Sequence, residues 1–480
     1  MVKSKVLQLL KTLTPQEFKK FGLFICSPYF NKEIVQIKIY ELLKNHYPAF
    51  DSPSLAKENL YSGLYPGRKY NDGAMRNILS DMLKLAENFL STERFQSDDY
   101  KKNIFLLEEL KTRNQKNHFL KQKDKTEKII EKDVFKDELY FDRKTELAII
   151  YARFLRGTEE TFIQRDKVIQ ETSDLLTISS LIKLIFYNTD MLSVQTNISN
   201  ITYRLNLADE IDIFFENSGK KYLKIPYIEG YWLSFKLIQT GEEKYFYMLK
   251  DFIQRCINEI NNDEVKNIFT ILVNYCYKKI TEGNPDFIKE QFLLYKQSVE
   301  RGSYTSVGFI SSTLFMSIVV IGYEAGEFDW TNNFINDYIH EVKEDSRNNT
   351  VHFSAALKFY WRGDYESSLS ELSRVSSEEF SFKQNIRSLT LKIYYDLNET
   401  EPFYSHIDSY RHFIQNNKIV HNNIREPINN YISFCKKLFD LKNSREKDPE
   451  FELQRLKREI LNTKAIINKL WLLRKIDEVV

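Results

Sequence analysis

The sequence predicts an all-α fold whose C-terminal half stacks helix-turn-helix repeats, and three observations carry that expectation. Apolar residues recur at helical spacing with no strand-like alternation. All ten prolines lie at or before Pro66 or at and after Pro226. The proline-free stretch of roughly 160 residues favours long helices, because proline removes an amide donor and clashes with the preceding turn. From residue 226 onward, tight polar turns recur at a period of about 35 to 43 residues, the length of a two-helix repeat.

Residues 1–95 read as a helical N-terminal domain. Thr14-Pro15-Gln16-Glu17 combines an N-cap hydroxyl, a proline at the first helical position and a glutamate placed to close a capping box. Ser27-Pro28 ends that helix. A second amphipathic helix is expected from Lys32 to His46. Pro48 and Pro53 break the chain, and Ser54 is expected to cap a short helix carrying Leu55, Leu60 and Leu64. After the loop Pro66–Gly73, a long helix starting near Ala74 places Met75, Ile78, Leu79, Met82, Leu83, Leu85, Ala86 and Phe89 on one wide apolar stripe.

Residues 96–225 form a middle region of long helices. Between Lys121 and Lys136 lysines alternate with acids, as on a solvated helix face. The turn Arg156-Gly157-Thr158-Glu159-Glu160 is expected to end one helix and cap the next.

Residues 226–441 carry the periodic turns: Thr240-Gly241-Glu242, Glu282-Gly283-Asn284, Ala325-Gly326-Glu327, Arg362-Gly363-Asp364 and Leu397-Asn398-Glu399. Asn398 belongs to the series because asparagine is the residue other than glycine that best tolerates a left-handed helix C-cap. Residues 442–480 form the last segment. From Glu450 to Val480 they read as one amphipathic capping helix, with Phe451, Leu453, Leu456, Ile460, Ile467, Leu470, Trp471 and Leu473 on its apolar side.

The segment Ala355–Leu372 resembles the tetratricopeptide pattern. Ala356 and Ser368 stand at its two small positions, Gly363 and Tyr365 at its turn, and Val375 is expected to close the second helix. Other units match more loosely: Thr331 replaces a small apolar residue and Pro285 the turn aromatic. The chain as a whole resembles an uncharacterised family of bacterial tetratricopeptide-like helical-repeat proteins. That likeness rests on Ser27-Pro28-Tyr29-Phe30-Asn31, Leu64–Asp72, Asn274-Tyr275-Cys276, Gly326-Glu327-Phe328-Asp329-Trp330 and Trp471-Leu472-Leu473. It implies a helical repeat architecture and no particular activity or substrate.

Composition narrows the function classes. With 42% hydrophobic and 28% charged residues, the chain belongs with neither disordered nor membrane proteins. A net charge of +2 argues against a strongly electrostatic polyanion binder. Cys26, Cys256, Cys276 and Cys435 are far apart, as for thiols that act as small apolar residues in a reduced compartment. The opening residues are too interrupted for a signal peptide, and no run approaches the ~20 apolar residues of a membrane span. A cytoplasmic protein without membrane association is expected.

No chemistry-bearing motif emerges. Gly67–Gly73 fails the phosphate-loop spacing, since Asp72 stands where the second glycine belongs. The histidines (46, 118, 340, 352, 406, 412, 421) form no ligand pair at zinc spacing. The nucleophile elbow is absent. The expectation is therefore no enzyme, no catalytic residue, no cofactor and no metal.

Two binding readings remain. On the repeat register, Asn274, Tyr277, Tyr323, Tyr360 and Trp361 fall at first-helix positions that tend to line a concave face, so a non-enzymatic scaffold or adaptor holding a partner protein is the first reading. The alternative is a DNA-binding regulator. Leu55–Tyr65 followed by Ala74–Phe89 resembles the helix pair of a degenerate winged helix-turn-helix. Arg68, Lys69, Arg76, Asn77 and Lys84 would then face nucleic acid, with the helical repeats as a sensor. No wing follows Phe95, and the first hundred residues hold only about three excess positive charges, short of a basic footprint.

Overall fold

A computed structural model describes residues 4–156, 162–197, 201–304, 308–377, 379–417, 422–443 and 449–479. The fold is 80% helix with no strands among the described residues; a single parallel bridge joins Ile310 to Val342. The chain divides into two compact units, one comprising Met1–Asp133 and Glu146–Ile169, the other Val134–Thr145 and Gln170–Val480.

The first unit begins with α1 (Lys5–Leu10), α2 (Pro15–Cys26), α3 (Ile34–Lys44), α4 (Lys57–Leu64) and α5 (Asp72–Ser97). The expected capping box is present on α2. The Thr14 hydroxyl accepts the Glu17 amide, and the Glu17 carboxylate accepts the Thr14 amide at 2.7 Å. Phe21, Ile39, Leu43, Met75, Met82 and Phe89 close the core at 1% exposure or less.

Ser54 does not cap α4, which corrects the expectation. The Ser52 hydroxyl accepts the Ser54 amide and starts a 3-10 turn, Pro53–Leu55, before α4. α5 starts at Asp72, its first turn held by Asn71 Oδ1 accepting the Ala74 amide at 2.9 Å. It is followed almost directly by α6 (Asp99–Thr112), capped by Asp98, and then by α7 (Lys116–Ile130). α8 (Glu138–Leu155) and α9 (Phe162–Asn197) each contribute residues to both units. The turn expected to follow Arg156 falls at 157–160, outside the described residues.

α9 corrects one expectation. Over Gln164–Thr196 it is long and apolar enough, by length and composition, to cross a membrane. Several of its polar groups, however, are tied to protein partners in the second unit. Lys183 pairs with Asp142 at 2.7 Å, and Asp174 accepts from Tyr222 at 2.9 Å and Lys221 at 3.1 Å. The Asn188 amide donates to the Asn206 carbonyl.

After α10 (Ala208–Glu216), the second unit is a succession of helix hairpins: α11 (Pro226–Thr240) with α12 (Glu243–Cys256), α13 (Asn262–Glu282) with α14 (Asp286–Glu300), α15 (Ser312–Glu324) with α16 (Phe328–Tyr338), α17 (Glu344–Trp361) with α18 (Tyr365–Ser373), and α19 (Phe380–Leu397) with α20 (Thr400–Asn416). Every hairpin turns on a left-handed residue from the predicted series: Gly241 (φ 66°), Gly283 (102°), Gly326 (77°), Gly363 (77°) and Asn398 (58°). Such a residue redirects the chain while its amide bonds back to the last helical carbonyls.

Small residues let paired helices approach. Ser368 is fully buried, and its hydroxyl donates to the Ala356 carbonyl at 2.8 Å. Gly322 of α15 faces Thr331 of α16, and a Cβ on Gly322 would collide with the Thr331 hydroxyl.

The C-terminal segment departs from expectation. It is two helices, α22 (Pro449–Asn462) and α23 (Lys469–Val479), which follow α21 (Asn422–Lys442). The break at 463–468 is held by the buried Lys469, whose ammonium donates to the carbonyls of Leu461 at 3.1 Å and Thr463 at 2.9 Å, capping the end of α22. Phe451, expected on the apolar side, is 63% exposed. α23 packs against α13, α21 and α22, so it lies along the array and does not merely extend past its end.

Candidate functional site

The first helices of successive hairpins, α13, α15, α17 and α19, line a common face of the second unit, and α23 is seated on it. The seat is anchored by Trp471, which is 4% exposed and has its ring edge-on to Tyr395 and Tyr431. Its indole N–H donates to the Tyr360 hydroxyl at 3.0 Å, and that hydroxyl donates in turn to Asp396 at 3.2 Å. Lys475 pairs with Asp396 at 2.7 Å, both side chains largely buried. Asn468 donates to the Ser388 hydroxyl. Leu472 and Ile476 are fully buried, so α23 is a packed part of this unit.

What α23 leaves open is a cavity of about 330 Å³ between α13, α14, α15, α19 and itself, with an adjoining lobe of about 70 Å³ toward α17. Aromatic and aliphatic groups, among them Tyr277, Tyr295, Trp361 and Trp471, share the walls with Asn274, Gln291, Gln384 and Asn385. Volume and mixed lining match small-molecule and side-chain pockets, which begin at ~300 Å³. Glu324, Lys392 and Arg474 bring formal charge to the lobe.

The candidate partner-binding residues separate on this frame. Asn274 and Tyr277 are exposed neighbours on α13 at the cavity. Tyr277 is 54% exposed, yet it sits in a concavity, and the surrounding protein, with Glu324 nearby, pushes its phenol above the usual range. Tyr323 is withdrawn, a correction: it is 1% exposed and its hydroxyl donates to Asn332 at 3.1 Å, so it fills the space between α15 and α16. Tyr360 and Trp361 are half-buried. Tyr360 is spent on Trp471 and Asp396, whereas Trp361 borders the cavity with the Arg474 guanidinium 5.5 Å above its ring.

In the first unit, Arg76, Asn77 and Lys84 share the exposed side of α5, with Arg68 and Lys69 exposed in the loop before it. Two of these four cations are paired with acids. Arg76 pairs with Asp72 at 2.9 Å, Lys84 with Asp81 at 3.0 Å, and Arg68 lies over the Tyr65 ring. Asp72 also takes Lys57 and Tyr70. The acid that breaks the phosphate-loop spacing therefore organises the loop at the start of α5, where its charge opposes an incoming phosphate.

Among the described residues no group of three His, Cys, Asp or Glu side chains converges to hold a metal. Three histidines are tied to neighbouring side chains or backbone: His46 bonds to the Ser54 hydroxyl at 3.0 Å, His352 to Glu371 at 2.6 Å and His406 to the Arg387 carbonyl at 2.8 Å. His421 lies outside the described residues. Cys256, Cys276 and Cys435 are buried free thiols pushed up by burial, whereas Cys26 is exposed.

No known family, curated protein or solved structure matches the chain.

Sequence reasoning missed Glu324, Lys392 and Arg474 altogether and placed Trp471 only on the apolar side of a capping helix. The available signal was the polar break Asn462-Thr463-Lys464, which is where the terminal helix stops and α23 becomes free to turn inward.

Proposed function

We propose that the chain is a non-enzymatic scaffold whose helical repeats, tetratricopeptide-like in their turns and small-residue contacts, hold another protein on the face that carries Asn274 and Tyr277. A cytoplasmic setting with reduced thiols belongs to this reading. The single observation that supports it most is Tyr277. A large aromatic more than half exposed at the rim of a cavity is not needed by the interhelix core, and its composition and setting are those of an interface anchor. α23 narrows the usable face, because Tyr360 is already committed to Trp471.

The test is recovery of partner proteins from the native host on immobilised wild type, Tyr277→Ala and Asn274→Ala, with melting temperature measured in parallel. An exposed truncation should change stability by less than ~0.5 kcal/mol. Loss of an anchor should weaken a partner by ~2 kcal/mol, about thirtyfold. Equal recovery by all three proteins would remove this face from consideration.

A further inference from the structure

The lobe under α23 holds ionic groups that the protein leaves uncompensated. Lys392 lies on α19 and Arg474 on α23, and among the described residues neither has an ion-pair partner. Each instead rests near an indole: Lys392 Nζ is 5.8 Å from the Trp471 ring centroid and the Arg474 guanidinium 5.5 Å from that of Trp361. Asn385, seven residues before Lys392 on the same face of α19, lines both lobe and cavity, and its side chain makes no hydrogen bond among the described residues. Opposite stands one acid, Glu324 of α15, which has no ion pair among the described residues. Asp396, one turn along α19, adds negative field at Lys392 but is already paired with Lys475, so Glu324 is the one acid of the lobe set against its two cations.

A half-buried lysine with no carboxylate in ion-pair contact is costly, and burial, only partly offset by Glu324 and Asp396, holds the Lys392 ammonium below the usual lysine range. Structural lysines in this same unit are satisfied differently: Lys475 has Asp396 and Lys469 has two helix-end carbonyls. Lys392, by contrast, has no carboxylate or carbonyl at ion-pair or hydrogen-bond distance among the described residues, and only the more distant Glu324 and Asp396 act on its charge.

We propose that this cavity binds a small organic anion, a carboxylate or a phosphate monoester, whose charged group sits between Lys392, Arg474 and Asn385 while its apolar body lies against Trp361, Trp471 and Tyr277. The ligand bridges α19 and α23, so it tightens the seat of the C-terminal helix. The proposal does not rest on the scaffold reading, although ligand and partner protein would share Tyr277.

The experiment uses the full-length protein, calorimetric titration and thermal shift, with phenylacetate and phenyl phosphate as charged probes and benzyl alcohol as their neutral counterpart. Saturable binding of at least one charged probe is expected, with a rise in melting temperature and no comparable binding of benzyl alcohol. Preference between the charged probes assigns the site to carboxylates or to phosphate esters.

Lys392→Met and Arg474→Met should each weaken that binding by about tenfold or more. Removing an unpaired cation is not expected to lower the melting temperature of the unliganded protein. Glu324→Gln should tighten binding, because it removes the one opposing charge; a merely structural role for Glu324 gives no such gain. Failure of both charged probes, equal binding of the neutral one, or charged-probe binding unchanged in Lys392→Met and Arg474→Met would each overturn the proposal.

Discussion

At the scale of single residues, the hairpin turns depend on backbone conformations that side chains oppose. Gly363 sits at φ 77° between α17 and α18. A β-branched side chain there is strained regardless of the open space around it, so Gly363→Val should destabilise the second unit by about 1 kcal/mol or more, read as a lower melting temperature or denaturant midpoint. Gly322 makes a different demand, for room. It has no side chain because the Thr331 hydroxyl occupies that volume. Gly322→Ala should cost ~1–3 kcal/mol through overpacking, and Thr331→Ala in the same chain should return part of that loss, a coupling measurable as a double-mutant cycle. Independent, additive effects would show that the two helices do not meet here. The left-handed turns were legible in the sequence, since glycine and asparagine in a polar triplet between apolar helices have few other uses. The Gly322 contact was not: Thr331 looked like a looser match to a small position, and nothing local reveals that its partner had shrunk to compensate.

Whole elements obey signals that compete. The terminal residues 450–480 carry an apolar stripe that satisfies a helical period throughout, and periodicity alone gave one helix. The chain instead breaks, because Lys469 can cap α22 with its ammonium and α23 gains a buried seat for Trp471, Leu472 and Ile476. Tertiary packing outweighs local propensity there. α20 has a comparable hidden dependence, in this case on pH. His406 donates to the Arg387 carbonyl, and desolvation, with the Arg387 charge adding to it, holds its imidazole below the usual range. The folded state therefore binds fewer protons than the unfolded chain. Its stability is complete above the unfolded histidine pKa of ~6.5 and falls as the pH drops through the lower folded value. Acidification from about pH 7 to 5 should lower the melting temperature of the wild type more than that of His406→Gln, which keeps a donor and cannot titrate. Equal losses in both proteins would place the acid sensitivity elsewhere.

At the scale of the molecule, helical class was readable because period and proline spacing are properties of composition along the chain, and those survive any tertiary arrangement. That α23 is seated on the face lined by α13, α15, α17 and α19 was not readable. The hydrogen bond from Trp471 to Tyr360 spans 111 residues, and no pattern within a window connects the two. The same limit governs the nucleic-acid reading, which rested on local helix order and local cations. Its five residues are indeed exposed together around α5, but the relevant quantity is the field they produce. Arg76 and Lys84 are each neutralised by an acid on the same helix, and the chain as a whole carries only +2. Binding to duplex DNA grows with the number of phosphates neutralised, and its affinity falls steeply with salt in proportion to that number. The full-length protein is therefore expected to give no mobility shift of duplex DNA even at low ionic strength. A shift at low salt that weakens steeply as salt rises, and that is lost when Arg68 and Lys69 are replaced by glutamate, would reverse this expectation. It would show that the two loop cations reach phosphate without help from α5, and the regulator reading would then take precedence over the scaffold.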